Sequence, residues 1–224
     1  MNKFSFLPSM LTTAGIVIAA TTMPAQAFTF NFKNITNNSS TNAAIGESQL
    51  FLEVTDAGNG QALFTFLNQG PDAASITQIY FDDEDNSILS DIALVDDSAG
   101  GVSFEEARRP GNLPGGNPID FDADFEVSPT SRGGVANNGI SPTESLGITF
   151  DLAGTFDNLI NELSNGELMV GFHVQAFQDG GSESFVSVRP PENPPTGNSQ
   201  DIPEPGTAVA MGLFALGTFS LKKK

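Results

Sequence analysis

Phenylalanine occupies every second position at Phe28, Phe30 and Phe32, set against Thr29, Asn31 and Lys33. Side chains of an extended chain point alternately to opposite faces, so this segment builds a strand with one apolar and one polar face. Such a strand is stable only where a second apolar layer covers it. The same period recurs along the chain. Residues 50–54 and 62–67 alternate on either side of Asp56-Ala57-Gly58-Asn59-Gly60, a hairpin with a glycine-rich turn. Residues 75–81, 119–127, 146–152, 168–177 and 184–188 continue the pattern, and 88–95 fits either a strand or a short helix. One segment departs from it. Phe156, Leu159, Ile160 and Leu163 have helical spacing, with Asn165-Gly166 as the C-terminal stop. The expected fold is all-β: an antiparallel β-sandwich, jelly-roll-like, with one short helix.

The two ends do not belong to that body. Lys3 opens a short positive region, the segment from Leu7 to Ala20 is mostly apolar, and Ala25-Gln26-Ala27 is an A-x-A cleavage site. This order is that of a secretory signal peptide over 1–27, with the mature chain beginning at Phe28. At the other end Pro203-Glu204-Pro205 precedes sixteen uncharged residues from Gly206 to Leu221, followed by Lys222, Lys223 and Lys224. As a helix that run is about 24 Å long, against about 30 Å for a bilayer core. Snorkelling lysine stems extend its reach, and their charges hold that end on the cytoplasmic side. A terminal core helix is the weaker alternative, because Gly206, Gly212 and Gly217 make a poor soluble helix and no polar face exists. Residues 189–202 hold four prolines among polar residues and read as an extended spacer. The domain expectation is therefore a signal peptide at 1–27, a β domain at 28–188, a linker at 189–202 and an anchor at 203–224.

Charge narrows the partners. Only Glu204 of the 27 acids lies outside 28–202, and only Lys3 and Lys222–Lys224 of the nine basic residues do. The span thus holds 26 acids and five basic residues, a net charge of −21. Nucleic acids and anionic lipid surfaces require cationic patches, so neither is an expected partner of this domain. Without cysteine, disulfides, thiol catalysis and thiolate metal sites are all excluded, and stability must come from the core.

Two carboxylate groups stand out. Asp82, Asp83, Glu84 and Asp85 end a strand in a dense acidic turn, whose hard oxygens suit Ca²⁺. The spacing is not that of an EF-hand, and a solvated turn that protects a sheet edge is the favoured reading. Asp120, Asp122, Asp124 and Glu126 alternate with Phe121, Ala123 and Phe125. On a strand this puts the carboxylates on one face, roughly 6.5–7 Å apart. A solvated acidic face is favoured there too, with Ca²⁺ ligation by Asp82, Asp83, Asp85, Asp120, Asp122 and Asp124 as the alternative. A glycosidase pair is the least supported reading, since the chain has no Trp and one Tyr, Tyr80. His173, the single histidine, reads as a structural or surface residue, because no nucleophile is paired with it in sequence. Residues 179–184 read as a tight hairpin. Asn34-Ile35-Thr36 and Asn38-Ser39-Ser40 match the N-glycosylation pattern, a short motif that carries little weight alone. No catalytic set and no obligatory cofactor emerges; the chain does not read as an enzyme.

Pro203-Glu204-Pro205, the apolar run and the terminal lysines together resemble the PEP-CTERM sorting signal of Gram-negative bacteria, cyanobacteria included. The resemblance covers 203–224 and the expected signal peptide; the family's basic cluster is more often arginine-rich than lysine-rich. It implies processing by signal peptidase and by an exosortase, a tether in the inner membrane before processing, and delivery to the cell surface or an exopolysaccharide matrix. The stretches Tyr80-Phe81-Asp82-Asp83, Asn112-Leu113-Pro114-Gly115-Gly116-Asn117 and 171–187 resemble secreted PEP-CTERM proteins of unassigned activity. That family offers no catalytic residues. The expectation is a surface or matrix protein with a structural or interaction role; the alternative is a carbohydrate- or calcium-binding module.

Overall fold

A computed structural model describes residues 26–98, 100–130 and 135–188, apart from the side chains of Asp85 and Val135. The signal segment up to residue 25, the spacer from 189 and the sorting tail lie outside the described residues. Ten strands form the body: β1 (Ala27–Asn34), β2 (Leu50–Gly58), β3 (Gln61–Asn68), β4 (Ser75–Asp83), β5 (Leu89–Asp96), β6 (Phe104–Glu106), β7 (Phe125–Pro129), β8 (Ser145–Leu152), β9 (Leu168–Gln175) and β10 (Glu183–Val188). Three helices accompany them: α1 (Ser40–Gln49), α2 (Val135–Asn138) and α3 (Phe156–Asn165).

The all-β, antiparallel expectation holds, but the ladder is one sheet rather than the two separate sheets of a jelly-roll sandwich. Its order is β5-β8-β3-β2-β1-β10-β9-β4-β7-β6. β1 joins the halves, pairing with β2 from Ala27 to Asn31 and with β10 from Asn31 to Asn34. The sheet curls until its halves face each other. Phe81 on β4 meets Phe150 on β8 at 4.7 Å and Phe64 on β3 at 5.5 Å, and Phe66 on β3 meets Phe172 on β9 at 5.6 Å. Period-two alternation specifies which face of a strand is buried and leaves open whether facing layers are hydrogen-bonded through a shared strand.

Alternation and turn chemistry explain most elements. β3 buries Ala62, Phe64, Phe66 and Asn68 in strict alternation. Asn59 (φ 56°) and Gly60 (φ 77°) supply the two positive φ angles of the β2–β3 turn. Residues 88–95 resolve as strand, forming β5 opposite β8. α3 lies where expected, with Thr155 accepting a hydrogen bond from the Asn158 amide and Gly166 closing the helix in the left-handed region.

The single-helix expectation fails at α1. Its buried residues are Asn42, Ala43, Gly46 and Gln49, a small and polar face with no apolar stripe. Gly46 lies on the Phe185 ring, so closely that a Cβ would collide with it. Gln49 bonds Asn68 Oδ1 and the Asp72 carbonyl, both at 3.0 Å. The helix is held by close approach and amide pairing, which periodicity does not register.

Among the described residues no helix is long and apolar enough to cross a membrane. The expected anchor from Gly206 to Leu221, the sorting residues Pro203, Glu204 and Pro205, and Lys222, Lys223 and Lys224 lie outside them.

Candidate functional site

The expected strand over 119–127 is only half formed. A 3₁₀ turn over Asn117–Ile119 ends at Asp120 in the left-handed region (φ 56°), and regular pairing begins at Phe125. The alternation breaks with it. Phe121 enters a small outer cluster with Tyr80 and Leu113, while Phe125 packs in the main core, 5.3 Å from Phe150. Residues 107–124 thus form a strap over the outer face of β4 and β9. It lies close because β9 presents Gly171 beneath it, where a Cβ would come within 2.7 Å of Leu113 Cδ2.

Carboxylates tie the strap to β4 in both directions. Asp82 Oδ2 accepts the Asp122 amide hydrogen at 3.0 Å, and Asp124 Oδ2 accepts that of Asp83 at 2.9 Å. The Asp124 amide donates in turn to the Phe81 carbonyl at 2.8 Å. The two acidic groups of the sequence therefore come together. Asp82, Asp83, Asp120, Asp122 and Asp124 line one cavity of about 360 Å³, with Glu84 and Glu167 among its other walls and no Lys or Arg. The side chain of Asp85 lies outside what the structure describes.

The expectation of solvated acidic faces is corrected for three residues. Asp82 and Asp83 are buried, and β4 lies inside the sheet, between β9 and β7, so the turn protects no edge. Asp83 Oδ2 accepts the amides of Ile88 and Leu89 at 3.0 and 2.8 Å, closing the turn from β4 into β5. Glu126 is buried and accepts from Gln78 Nε2, the Gly111 amide and Ser128 Oγ. Unpaired backbone amides in long connections need acceptors, and a short aspartate supplies one within a few residues.

The cavity's electrostatics follow from its lining. Burial pushes the Asp82 carboxyl above its usual range; the Asp122 amide opposes this, and the charges of Asp124, Asp122 and Glu84 reinforce it. Burial likewise raises Glu162 of α3, with Asp83 adding repulsion. Among the described residues no three acids close into a metal-holding group. Asp82 and Asp124 already spend an oxygen each on the backbone, so as placed these residues do not make a Ca²⁺ shell of six to eight oxygens.

His173 is buried between Ser184 Oγ at 3.4 Å and Gln175 Nε2 at 3.2 Å, and burial lowers its pKa, keeping it neutral. Of the two expectations, structural or surface, its burial fits the first. The connection carrying residues 179–182 is longer than a tight hairpin, running from 176 to 182 between β9 and β10.

Sequence reasoning passed over Glu183. Fully buried, it accepts from Asn34 Nδ2 at 3.0 Å, Thr36 Oγ1 at 2.5 Å, the Asn38 amide at 3.1 Å and the Ser39 amide at 2.5 Å. Burial pulls its pKa up, and these hydrogen bonds outweigh it, leaving the carboxyl below its usual range. The stretch 34–40 that matched a glycosylation pattern is the wall of this socket. Its density of Asn, Thr and Ser is the signal that pointed here.

No protein-family model, curated protein or solved structure matches the chain.

Proposed function

We propose that the chain is exported, that an exosortase reads and processes its tail, and that the β body has a structural or interaction role at the cell surface or in exopolysaccharide. One observation carries this reading: the described β body begins and ends at the two junctions that the sequence marks. β1 starts at Ala27, at the expected signal junction, and β10 ends at Val188, immediately before the proline spacer. The strap's acids suit this role, since those that are hydrogen-bonded brace loops. Replacing Glu204 or deleting 206–224 will abolish tail processing and surface retention, read by intact mass and by cell fractionation. A variant with wild-type mass and location would sink the sorting reading.

Convergence of the two acidic groups on one cavity supports a second reading, a carbohydrate- or calcium-binding module. The carboxylates of Glu84, Asp120 and Asp122, which line the cavity, would have to swing inward to complete a cation shell. On this reading millimolar Ca²⁺ raises the thermal midpoint of the wild type, by roughly 2 °C or more once the ion is well above its dissociation constant. Asp122→Asn blunts the rise. A midpoint indifferent to Ca²⁺ removes calcium from consideration.

A further inference from the structure

The bond between Ala27 and Phe28, where the sequence places signal cleavage, is part of β1. Ala27 stands opposite Thr55, Phe28 opposite Val54, Thr29 opposite Glu53 and Phe30 opposite Leu52. The Phe28 ring packs on Phe156 of α3 at 6.0 Å, and Phe30 is fully buried. A protease that cuts an extended segment must take its backbone and side chains into its own cleft, with the substrate running as an added strand. The residues just after this bond are already committed, their backbone to β2 and their aromatic side chains to the core. A peptidase could engage them only after β1 has peeled away through Phe30, a local unfolding that exposes core surface.

We infer that cleavage at Ala27–Phe28 precedes docking of β1, and that a precursor whose body has already folded resists the peptidase. This rests on the export reading above. The hydrolysis is an ordinary one: water adds to the Ala27 carbonyl carbon, the C–N bond to Phe28 breaks, and the proton goes to the departing amine. What the fold decides is when that bond is available. The timing matters because, among the described residues, β1 is the only strand joining the β5-β8-β3-β2 half of the sheet to the β10-β9-β4-β7-β6 half. A single ladder therefore forms on the cleaved chain. The ragged edge of β1 helps the order: from Ala27 to Phe30 it pairs on one side only, with β2, while β10 begins to pair at Asn31. The segment carrying the scissile bond is thus held to the sheet through β2 alone.

The test uses the full-length precursor and purified signal peptidase in detergent micelles. One sample is folded before the enzyme is added; the other is added from urea directly into enzyme. Cleavage is followed by intact mass and N-terminal sequencing. The prefolded sample is expected to be cut at least about tenfold more slowly, the factor that re-exposing one buried Phe implies. Phe30→Ala should speed cleavage of the prefolded sample. Inserting a Gly-Ser linker of about ten residues after Ala27 moves the scissile bond off the ladder and should equalise the two samples even if Phe30→Ala folds poorly. Equal rates for prefolded and unfolded wild type would overturn the inference. No cleavage after Ala27 in the unfolded sample would instead overturn the export reading, and this inference with it.

Discussion

Phe81→Ala will cost about 3–5 kcal/mol of stability, the range for deleting a buried Phe, and lower the thermal midpoint by roughly 10 °C. Phe81 is fully buried, and its ring edges onto Phe64 (5.5 Å), Phe66 (6.0 Å) and Phe150 (4.7 Å) at steep angles. Each such pair adds about 0.5–1.5 kcal/mol beyond area burial. Its position matters as much as its size. Phe81 belongs to β4 in one half of the sheet, while its three partners belong to β3 and β8 in the other. Among the described residues β1 is the one strand hydrogen-bonded to both halves, and facing rings such as this one pack them together. Phe81→Leu, which keeps most of the volume, is expected to cost less than about 1.5 kcal/mol. Urea unfolding of both variants checks the contrast. A loss below about 1 kcal/mol for the alanine would mean that the halves do not pack through this ring.

The core was legible where burial and periodicity coincide. Phe28, Phe30 and Phe32 lie on β1 as alternation requires, and β3 buries every second residue. The hairpin turn at 58–61 and the stop of α3 at Gly166 were legible because positive φ has few residue solutions. What escaped was everything held by polar groups and close approach. α1 has no apolar stripe, yet Gly46 and Gln49 seat it. The strap mimicked a strand because acid and aromatic residues alternate there, but the acids answer backbone amides and the aromatics serve different clusters. Pairing order is a relation between distant segments, and nothing local in Phe28–Lys33 states that β1 bridges the two halves.

The candidate site was legible as composition and illegible as geometry. That Asp82–Asp85 and Asp120–Asp124 are acidic is plain in the sequence; that they meet depends on the strap lying across β4. Their meeting has an electrostatic sign. A carboxyl held above its usual range favours folding at low pH, and that contribution is lost as pH rises through the folded value. Asp82 and Glu162 are of this kind. These two carboxyls therefore weigh against the folded state once they are ionised. The body's net charge of −21 over 28–202 acts in the same direction.

Glu183 has the opposite sign, and Glu183→Gln separates it from the rest. At pH 7 the change will cost about 2 kcal/mol or more, because a carboxamide has one accepting oxygen where the carboxylate has two. Each buried donor left unpaired costs roughly 1–3 kcal/mol. Four donors converge on this carboxylate, and the Ser39 amide among them belongs to the N-cap of α1, where negative charge is also favoured by the helix dipole. The substitution conserves shape, so no cavity term enters. Because the folded pKa lies below the usual glutamate value, the stability Glu183 supplies is fully present above that usual value. It disappears as pH falls through the lower folded value. The difference between wild type and Glu183→Gln, measured by urea unfolding, should accordingly be constant from pH 7 to about pH 5 and narrow below it. Asp82→Asn should move the other way, gaining stability at pH 7 and losing that advantage in acid. If both differences were flat across the range, charge would not be what these two carboxylates contribute, and the socket around Glu183 would be held by shape alone.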